Sequence, residues 1–265
     1  MKIYLDAGHN YSGGDTGAQG NGHKEQDITF DIAKKTGERL SNQGVEVKYS
    51  RSGLTDNIGS TVAASIYGRY TEANAWGADY FISFHSNAAS SSSALGTETL
   101  VYKLAGTAYE LAKGVQSGIV SDCDMADRGV KQRTDLGVLK NTDMPAILIE
   151  LGFITNQEDC TKMVNSPDLF AGAIAKSVCT FLNISWNGED WTMSQYEELI
   201  ARISAIENKM IYNYIDGNMP DWARPTIQKM VDRGYLKGSE SGELGLDGTL
   251  LRVFVANDRA GLYDK

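Results

Sequence analysis

The chain has 265 residues, of which 42% are hydrophobic and 22% charged, and its formal net charge is −9. This length holds one full domain and a small second one. The acidic balance lacks the basic footprint of nucleic-acid binding, which excludes nucleic acid as a partner. No apolar run approaches the ~18 residues of a membrane span, and Met1 leads directly into the first predicted strand, so we expect neither a membrane span nor a signal peptide.

Short apolar stretches alternate with helical patterns across residues 1–184. The predicted strands cover residues 3–6, 45–50, 80–85, 98–102 and 146–150. The predicted helices cover residues 25–42, 60–76, 108–123 and 168–182. This alternation predicts an α/β domain with a mixed, mostly parallel central sheet and helices on both faces. In such a sheet the functional residues lie on loops at the carboxyl ends of the strands.

A polar stretch then separates this region from the C-terminal part of the chain. We expect a first domain at residues 1–184, a linker at 185–195 and a small all-helical domain at 196–265. In the last of these, apolar residues recur every three or four positions over about two heptads, at Tyr196, Leu199, Ile203, Ile206 and Met210. This seam either packs inside its own domain or joins two copies of the chain in a homodimer, and the spacing leaves both open.

The loop after the first predicted strand is rich in glycine, as phosphate-binding loops also are. It lacks the Gly-Lys-Ser/Thr ending of a Walker loop, and it has no GxGxxG sequence opening a helix. We therefore interpret it as a tightly turning loop between two site residues, and not as a nucleotide site.

Two of the three histidines lie at the ends of predicted strands. His9 follows the first strand in DAGH, and His85 closes another in FISFHSNA. Imidazole is a common zinc ligand, and catalytic zinc takes three protein ligands plus water. Glu25, at the start of the first predicted helix, fits as the third ligand. His23, two residues earlier, is its competitor, and spacing alone excludes neither.

Glu150 directly follows the apolar residues 146–149 of a strand that reads as fully buried. A carboxylate at this place either caps the next helix, which is predicted to begin near Asn156, or acts as a general base beside a metal. Zinc lowers the pKa of bound water to ~7, and a carboxylate can take the remaining proton.

Four motifs, in this order, carry a family resemblance: DAGH…GA, EQDITFDIAKK, FISFHSNA and PAILIELGFITN. Over about residues 1–183 the chain resembles the zinc-dependent N-acetylmuramoyl-L-alanine amidases of the type-3 amidase family. The resemblance implies that His9, Glu25 and His85 hold Zn²⁺, that Glu25 and not His23 is the third ligand, and that Glu150 is the catalytic carboxylate. The implied reaction hydrolyses the peptidoglycan amide between N-acetylmuramic acid and L-alanine.

The chain departs from the family pattern at two places. Asn10, Tyr11 and Ser12 lengthen the first motif, and only the short polar run AASSSSALG follows His85, where bacterial division amidases carry an inhibitory helix. The missing helix and the expected lack of a signal peptide favour a phage-type endolysin. Such an enzyme is made in the host cytoplasm and acts at the cell wall of a Gram-positive host.

The C-terminal segment resembles wall-anchoring modules of phage lysins and, in pattern, S-layer-homology helices. This resemblance implies binding of a secondary wall polymer. Because the segment is acidic, we expect aromatic and hydrogen-bonding contacts to carry the binding, with Trp222 and Tyr235 as candidates; Trp222 fits a core position equally well.

Other classes of protein fit the same residues. A zinc-dependent peptidoglycan peptidase or deacetylase would use the same ligands and differ in the bond that it cuts. A non-enzymatic wall-binding protein would hold a structural metal, which prefers four protein ligands including cysteine. The three cysteines lie away from the motifs, at Cys123, Cys160 and Cys179. Manganese or cobalt can also occupy the ligands proposed for zinc.

Overall fold

A computed structural model describes residues 1–188, 193–207 and 210–264, and the chain divides into two compact units, Met1–Met193 and Ser194–Lys265. The strands of the first unit are β1 Lys2–Ala7, β2 Gln19–Gly20, β3 His23–Lys24, β4 Glu46–Tyr49, β5 Tyr80–Asn87, β6 Thr97–Val101, β7 Asp127–Gln132 and β8 Ala146–Phe153. Its helices are α1 Glu25–Asn42, α2 Val62–Trp76, α3 Gly106–Asp122, α4 Gly137–Lys140, α5 Gln157–Asn165 and α6 Pro167–Phe181. From the unit boundary onward follow α7 Met193–Glu207, β9 Ile211–Tyr212, α8 Arg224–Asp232, β10 Leu246–Asp247 and α9 Gly248–Arg259.

Six strands of the first unit form one sheet in the order β4-β1-β5-β8-β6-β7. All neighbours are parallel except β6 and β8, which run antiparallel. On one face α1 packs against α6, and α6 against α3. On the other, α2 and α4 contribute to an apolar cluster with the sheet. The prediction of a mixed, mostly parallel α/β sheet is confirmed.

Aromatic and aliphatic side chains from neighbouring strands fill the space beneath α2 and α4. Tyr4 of β1 stacks on Phe81 of β5, with ring centroids 5.5 Å apart, and Leu148 of β8 joins the same cluster. The Tyr4 hydroxyl donates a hydrogen bond of 2.6 Å to Glu72 of α2. This cluster ends below the carboxyl edge of the parallel strands, where the side chains become polar.

The strand register brings residues far apart in sequence side by side at this edge. Ala7 of β1 pairs with Phe84 of β5, so that the loop after β1 continues beside His85. His85 pairs with Glu150 of β8, and Glu150 pairs on its other side with Glu98 of β6. Paired residues of neighbouring strands point to the same face, and these side chains therefore form a row.

The second unit has its own apolar core, built mainly by α8 and α9. Its buried members are Tyr212, Met219, Ala223, Ile227, Met230, Leu246, Leu251 and Val255. In addition to the expected helices, this unit contains one antiparallel pair of two-residue strands, β9 and β10. The unit boundary lies inside the predicted linker, of which residues 189–192 are outside the described part of the chain.

Helix α7 carries the first four positions of the predicted apolar seam, and the fifth, Met210, lies beyond the end of the helix. Tyr196 and Leu199 are half-buried and Ile203 is 42% exposed, whereas the side chain of Ile206 lies outside the described residues. Among the described side chains of α7, none belongs to the core of the second unit. The described part of the seam is therefore available for contacts other than that core.

Two further properties of the described residues concern membrane crossing and the cysteines. Within residues 1–188, 193–207 and 210–264, no helix has the length and apolar character that crossing a bilayer requires. The three cysteines are buried and free of disulfide bonds.

Candidate metal centre and catalytic carboxylate

Three side chains from separate elements converge at the carboxyl edge of the sheet. His9 lies in the loop after β1, Glu25 is the first residue of α1 and His85 belongs to β5; one donor atom of each lies within 4.8 Å of the others. Glu25 Oε1 is 3.2 Å from His9 Nε2 and 3.1 Å from His85 Nδ1. Two imidazole nitrogens and one carboxylate oxygen are a donor set of catalytic zinc, so these residues fit such a metal.

The backbone of two neighbouring segments holds the Glu25 carboxylate in place. Glu25 Oε2 accepts a hydrogen bond from the Ala18 amide at 2.8 Å, and Oε1 accepts one from the Ser86 amide at 3.0 Å. Burial favours the neutral acid, but the hydrogen bonds with His85 and His9 outweigh it and hold the pKa of Glu25 well below its usual range. The side chain is therefore a carboxylate, as a metal ligand must be.

Asp15 orients the His9 ring. Asp15 Oδ1 lies 3.0 Å from His9 Nδ1, which leaves Nε2 directed toward Glu25. Burial lowers the pKa of His9, but the hydrogen bonds with Asp15 and Glu25 prevail and raise it to about 9. A carboxylate on the far nitrogen of a ligating histidine fixes both its tautomer and its direction. Sequence reasoning missed Asp15.

A buried ion pair supports the His9 loop from below. Arg69 of α2 donates to Asp6 Oδ1 at 2.5 Å and to the His9 carbonyl at 2.6 Å. Asp6 also accepts a hydrogen bond of 2.7 Å from Ser83. His9 itself adopts a left-handed backbone with φ of 64°. The contact with its carbonyl helps to hold this conformation, which few residues other than glycine adopt.

Two glycines of the first loop permit the close approach of the ligands. A Cβ at Gly17 would lie 2.7 Å from Glu25 Oε2 and 2.8 Å from the His9 ring, and a Cβ at Gly8 would lie 2.5 Å from the His85 ring. Any side chain at these positions would displace a ligand. The glycines are thus explained by packing around the site.

The lengthened first motif is braced by the segment before α2. Asn10 exchanges hydrogen bonds with Ile58, accepting from its amide at 2.8 Å and donating to its carbonyl at 3.1 Å. Two residues on, the Ser12 amide donates to Asn57 at 2.9 Å. The extra residues therefore fold against a neighbouring loop, and His9 keeps its place beside Glu25.

Glu150 lies beside His85 in the sheet register and has an unusual environment. Its Oε2 atom is buried and has no hydrogen-bond partner among the described residues. Burial raises the pKa of Glu150 to about 7, so this carboxyl can take up and release a proton near neutral pH. The helix-capping alternative is not observed, because Asn156 accepts the capping hydrogen bonds of α5 from Glu158 and Asp159.

His23 occupies a different place from the three converging side chains. It lies in the short strand β3, is exposed, and is outside the group whose donor atoms converge. The structure thus brings Glu25, and not His23, to the two strand-end histidines.

A mixed α/β sheet that carries convergent histidine and carboxylate donors beside a buried acid is typical of hydrolases that work with a bound metal. The N-acetylmuramoyl-L-alanine amidase family matches residues 3–180, and the chain belongs to this family. It is a peptidoglycan amidase, and the resemblance seen in the four sequence motifs is confirmed.

Relatives and solved structures agree with this assignment. The N-acetylmuramoyl-L-alanine amidase CwlM of Bacillus licheniformis is 34% identical over 204 residues, 76% of this chain and 75% of the relative. The endolysin of Bacillus phage SPP1 is 35% identical over 193 residues, 69% of this chain and 66% of the relative. The crystal structure of an N-acetylmuramoyl-L-alanine amidase from Clostridium difficile 630 has a TM-score of 0.63 and 34% identity, covering 69% of this chain and 97% of that one.

Proposed function

We propose that this amidase works with a zinc ion held by His9, Glu25 and His85 and with Glu150 as the catalytic carboxylate. The observation that carries the proposal is the convergence of these three donors within 4.8 Å. Next to them lies Glu150, whose Oε2 atom is buried and has no hydrogen-bond partner among the described residues. Both features lie at one edge of the sheet, where substrates of α/β proteins bind.

The residues of the chain then have separate roles in the hydrolysis. When bound, zinc supplies Lewis-acid activation of a water molecule and of the scissile carbonyl. Glu150 accepts the proton of the attacking water and delivers it to the nitrogen of L-alanine, whose bond to the lactyl carbonyl breaks. A pKa near 7 suits both halves of this transfer. Asp15 keeps His9 pointed inward throughout.

We assign cell-wall binding to the second unit and extend the proposal to the domain limits 1–184 and 196–265, with residues 185–195 as linker. Trp222 and Tyr235 are 45% and 52% exposed, and neither belongs to the buried core of that unit. Aromatic side chains in this position suit a carbohydrate polymer of the wall. The seam on α7 adds a surface through which two copies can form a homodimer.

An endolysin role is supported by the relative from Bacillus phage SPP1. It is also supported by the connection between β5 and β6, which spans only residues 88–96 and contains no helix. In this role the enzyme is made in the cytoplasm of a Gram-positive host and acts at its wall.

The test is mass spectrometry of the products released from purified walls, with and without a chelator. An amidase releases intact stem peptides with a free L-alanine amine, a peptidase cuts inside the stem, and a deacetylase releases acetate. Chelation should stop the release, and one equivalent of zinc should restore it. Chelator-resistant release of the same products would refute the zinc part of the proposal.

A further inference from the structure

A row of charged side chains extends from the site across the sheet to its edge strand. Glu150 of β8 pairs with Glu98 of β6, and β7 lies beyond β6 as the outermost strand. Arg128 of β7 donates to Glu98 Oε2 at 2.7 Å, and Lys131 donates to the same oxygen at 2.5 Å. Both cations therefore lie on the face of the sheet that carries Glu150.

These cations are only partly neutralised. Glu98 is a single carboxylate shared by Arg128 and Lys131, whose side chains are 36% and 43% exposed. Arg128 is further held over the Phe153 ring at 4.9 Å, and its Nη2 group has no hydrogen-bond partner within the described residues. Beside the site of a chain of net charge −9, two cations thus share one carboxylate.

Arg133 directly follows β7, two positions after Lys131, and its amide donates to the Val101 carbonyl of β6 at 2.9 Å. It forms an exposed ion pair with Asp135, at 2.7 Å. The hydrogen bond with Asp135 and the charge of Asp135, and after them the charges of Glu150 and Glu98, raise the pKa of Arg133.

The distance from the site matches a peptide of defined length. Neighbouring strands lie about 4.8 Å apart, which puts β7 about 10 Å from the strand of Glu150. Two extended residues span about 7 Å, and the long side chains of arginine and lysine cover the remainder. A carboxylate on the second residue of a stem peptide therefore reaches this row when the scissile bond lies at Glu150.

We propose that Arg128, Lys131 and Arg133 form a carboxylate-binding subsite for the peptide stem, specific for a free carboxylate on the residue that follows L-alanine. The inference rests on the proposed function, since it orients the stem from Glu150 toward β7. Arg128 donates to Glu98 through Nε and to the Leu95 carbonyl through Nη1, so Nη2 is the nitrogen that can donate a charge-assisted hydrogen bond to such a carboxylate. An amide at the same place on the stem offers no charge to these cations.

The experiment compares N-acetylmuramoyl-L-alanyl-γ-D-glutamyl-L-lysine with its isoglutaminyl counterpart, both as soluble substrates of the full chain. The side-chain carboxyl of the second residue is amide-linked in both compounds, so that only its α-carboxyl, free or amidated, differs. We expect kcat/KM to be about tenfold higher for the free acid. This preference should shrink in 1 M salt, where charges are screened over ~3 Å. The double variant Arg128→Gln/Lys131→Gln should bring the ratio toward one.

Two further variants keep the outcome interpretable. Arg133→Gln leaves both partners of Glu98 in place, so it tests the row even if the double variant fails to fold, and it should lower the ratio. Lys113→Gln is the matched control, because Lys113 also makes one exposed ion pair, with Glu110 on α3, and it should leave the ratio unchanged.

The failures of the two proposals are distinguishable. If the wild type cleaves neither compound nor purified walls, the proposed function itself fails. Cleavage of both compounds with equal kcat/KM, or a preference that survives Arg133→Gln and the double variant, overturns the subsite and leaves the amidase intact.

Discussion

The two units of the chain differ in how many polar and charged side chains they bury. The first unit buries a few ionisable side chains almost completely, with Asp6 and Arg51 at 0%, Arg69 at 2% and Glu25 at 4% exposure. In the described part of the second unit the only buried polar residue is Thr226, and the core is otherwise apolar. The metal ligands proposed for the first unit require polar groups inside the fold, whereas the wall-binding surface proposed for the second unit does not.

Arg51 is an extreme case of a charged side chain buried in the first unit. It is fully buried, and it donates hydrogen bonds to backbone carbonyls, among them those of Gln26 at 2.7 Å and Gly8 at 3.4 Å. Burial lowers its pKa to about 10, which is still high enough to keep it charged at neutral pH. The side chain thereby ties the end of β1 to the start of α1, the two segments that carry His9 and Glu25.

The largest expected effect tests whether the polar side chains at the edge of the first unit's sheet bind a metal. His85→Ala should abolish both stoichiometric zinc and wall lysis, because a catalytic site with two protein ligands holds zinc poorly. His23→Ala is the control and should retain both. Metal content by mass spectrometry of the purified proteins decides, and full zinc occupancy in the His85→Ala protein would refute the ligand set.

The next prediction distinguishes the role of Glu150 as general base from that of a zinc ligand. Glu150→Gln should keep zinc and lower kcat by about 10²–10⁴-fold, the usual contribution of a general base. The substitution is nearly isosteric, so the fold should persist, which circular dichroism would check. Loss of zinc in this variant would make Glu150 a ligand instead.

A third prediction compares ion pairs of the two units directly. Asp6→Asn should cost about 3–5 kcal/mol in the free energy of unfolding, since it leaves Arg69 charged and buried. Lys229→Gln, which breaks the surface pair with Asp258 in the second unit, should change stability much less. Urea unfolding followed by circular dichroism, with the transitions of the two units fitted separately, measures both.

The same pair gives a pH dependence with a definite sign. Burial disfavours the Asp6 carboxylate, but Arg69 and Ser83 outweigh it and lower its pKa below the ordinary value of 3.8. Its contribution to stability is therefore complete above the unfolded pKa and is lost as pH falls through the folded pKa. Asp6→Asn should remove this part of the decrease in the free energy of unfolding at acid pH. If the variant loses stability with falling pH as the wild type does, the result argues against the ion pair.

The smallest effect concerns the surface of the second unit. Trp222→Ala should weaken sedimentation with intact walls by about tenfold, as loss of an exposed aromatic contact does, and should leave cleavage of soluble muropeptides unchanged. Tyr67→Ala removes a comparably exposed aromatic residue from the first unit and should leave wall sedimentation as it is. Equal binding by all three proteins would remove Trp222 from the wall contact.

Sequence patterns predicted the elements whose identity depends on local periodicity. Helix α1 spans the same residues in the sequence prediction and in the structure, and the strands that carry His85 and Glu150 were recognised from their apolar runs. The sequence of β7, DRGVKQ, gave no such signal. It is an edge strand without a buried residue, and pairing with β6 creates a strand where the side chains alone do not favour one.

The contacts that support the site could not be predicted from the sequence either. Arg69 reaches Asp6 and His9 across about sixty residues, and only the folded sheet brings these elements together. The histidines could be found because strand ends collect functional groups. Asp15, by contrast, sits in a loop whose path depends on contacts with residues 57 and 58.

The left-handed backbone of His9 predicts how this sequence would change if selection for the reaction ceased. An L-residue in that conformation costs about 1–2 kcal/mol relative to an ordinary one, and glycine or asparagine adopts it more readily. At position 9 the requirements of catalysis and of folding therefore conflict, since metal binding favours histidine and the left-handed backbone favours glycine or asparagine. Descendants that kept the sheet but no longer cut peptidoglycan should acquire glycine or asparagine there early, while Arg69 and Asp6 beneath the loop are still intact.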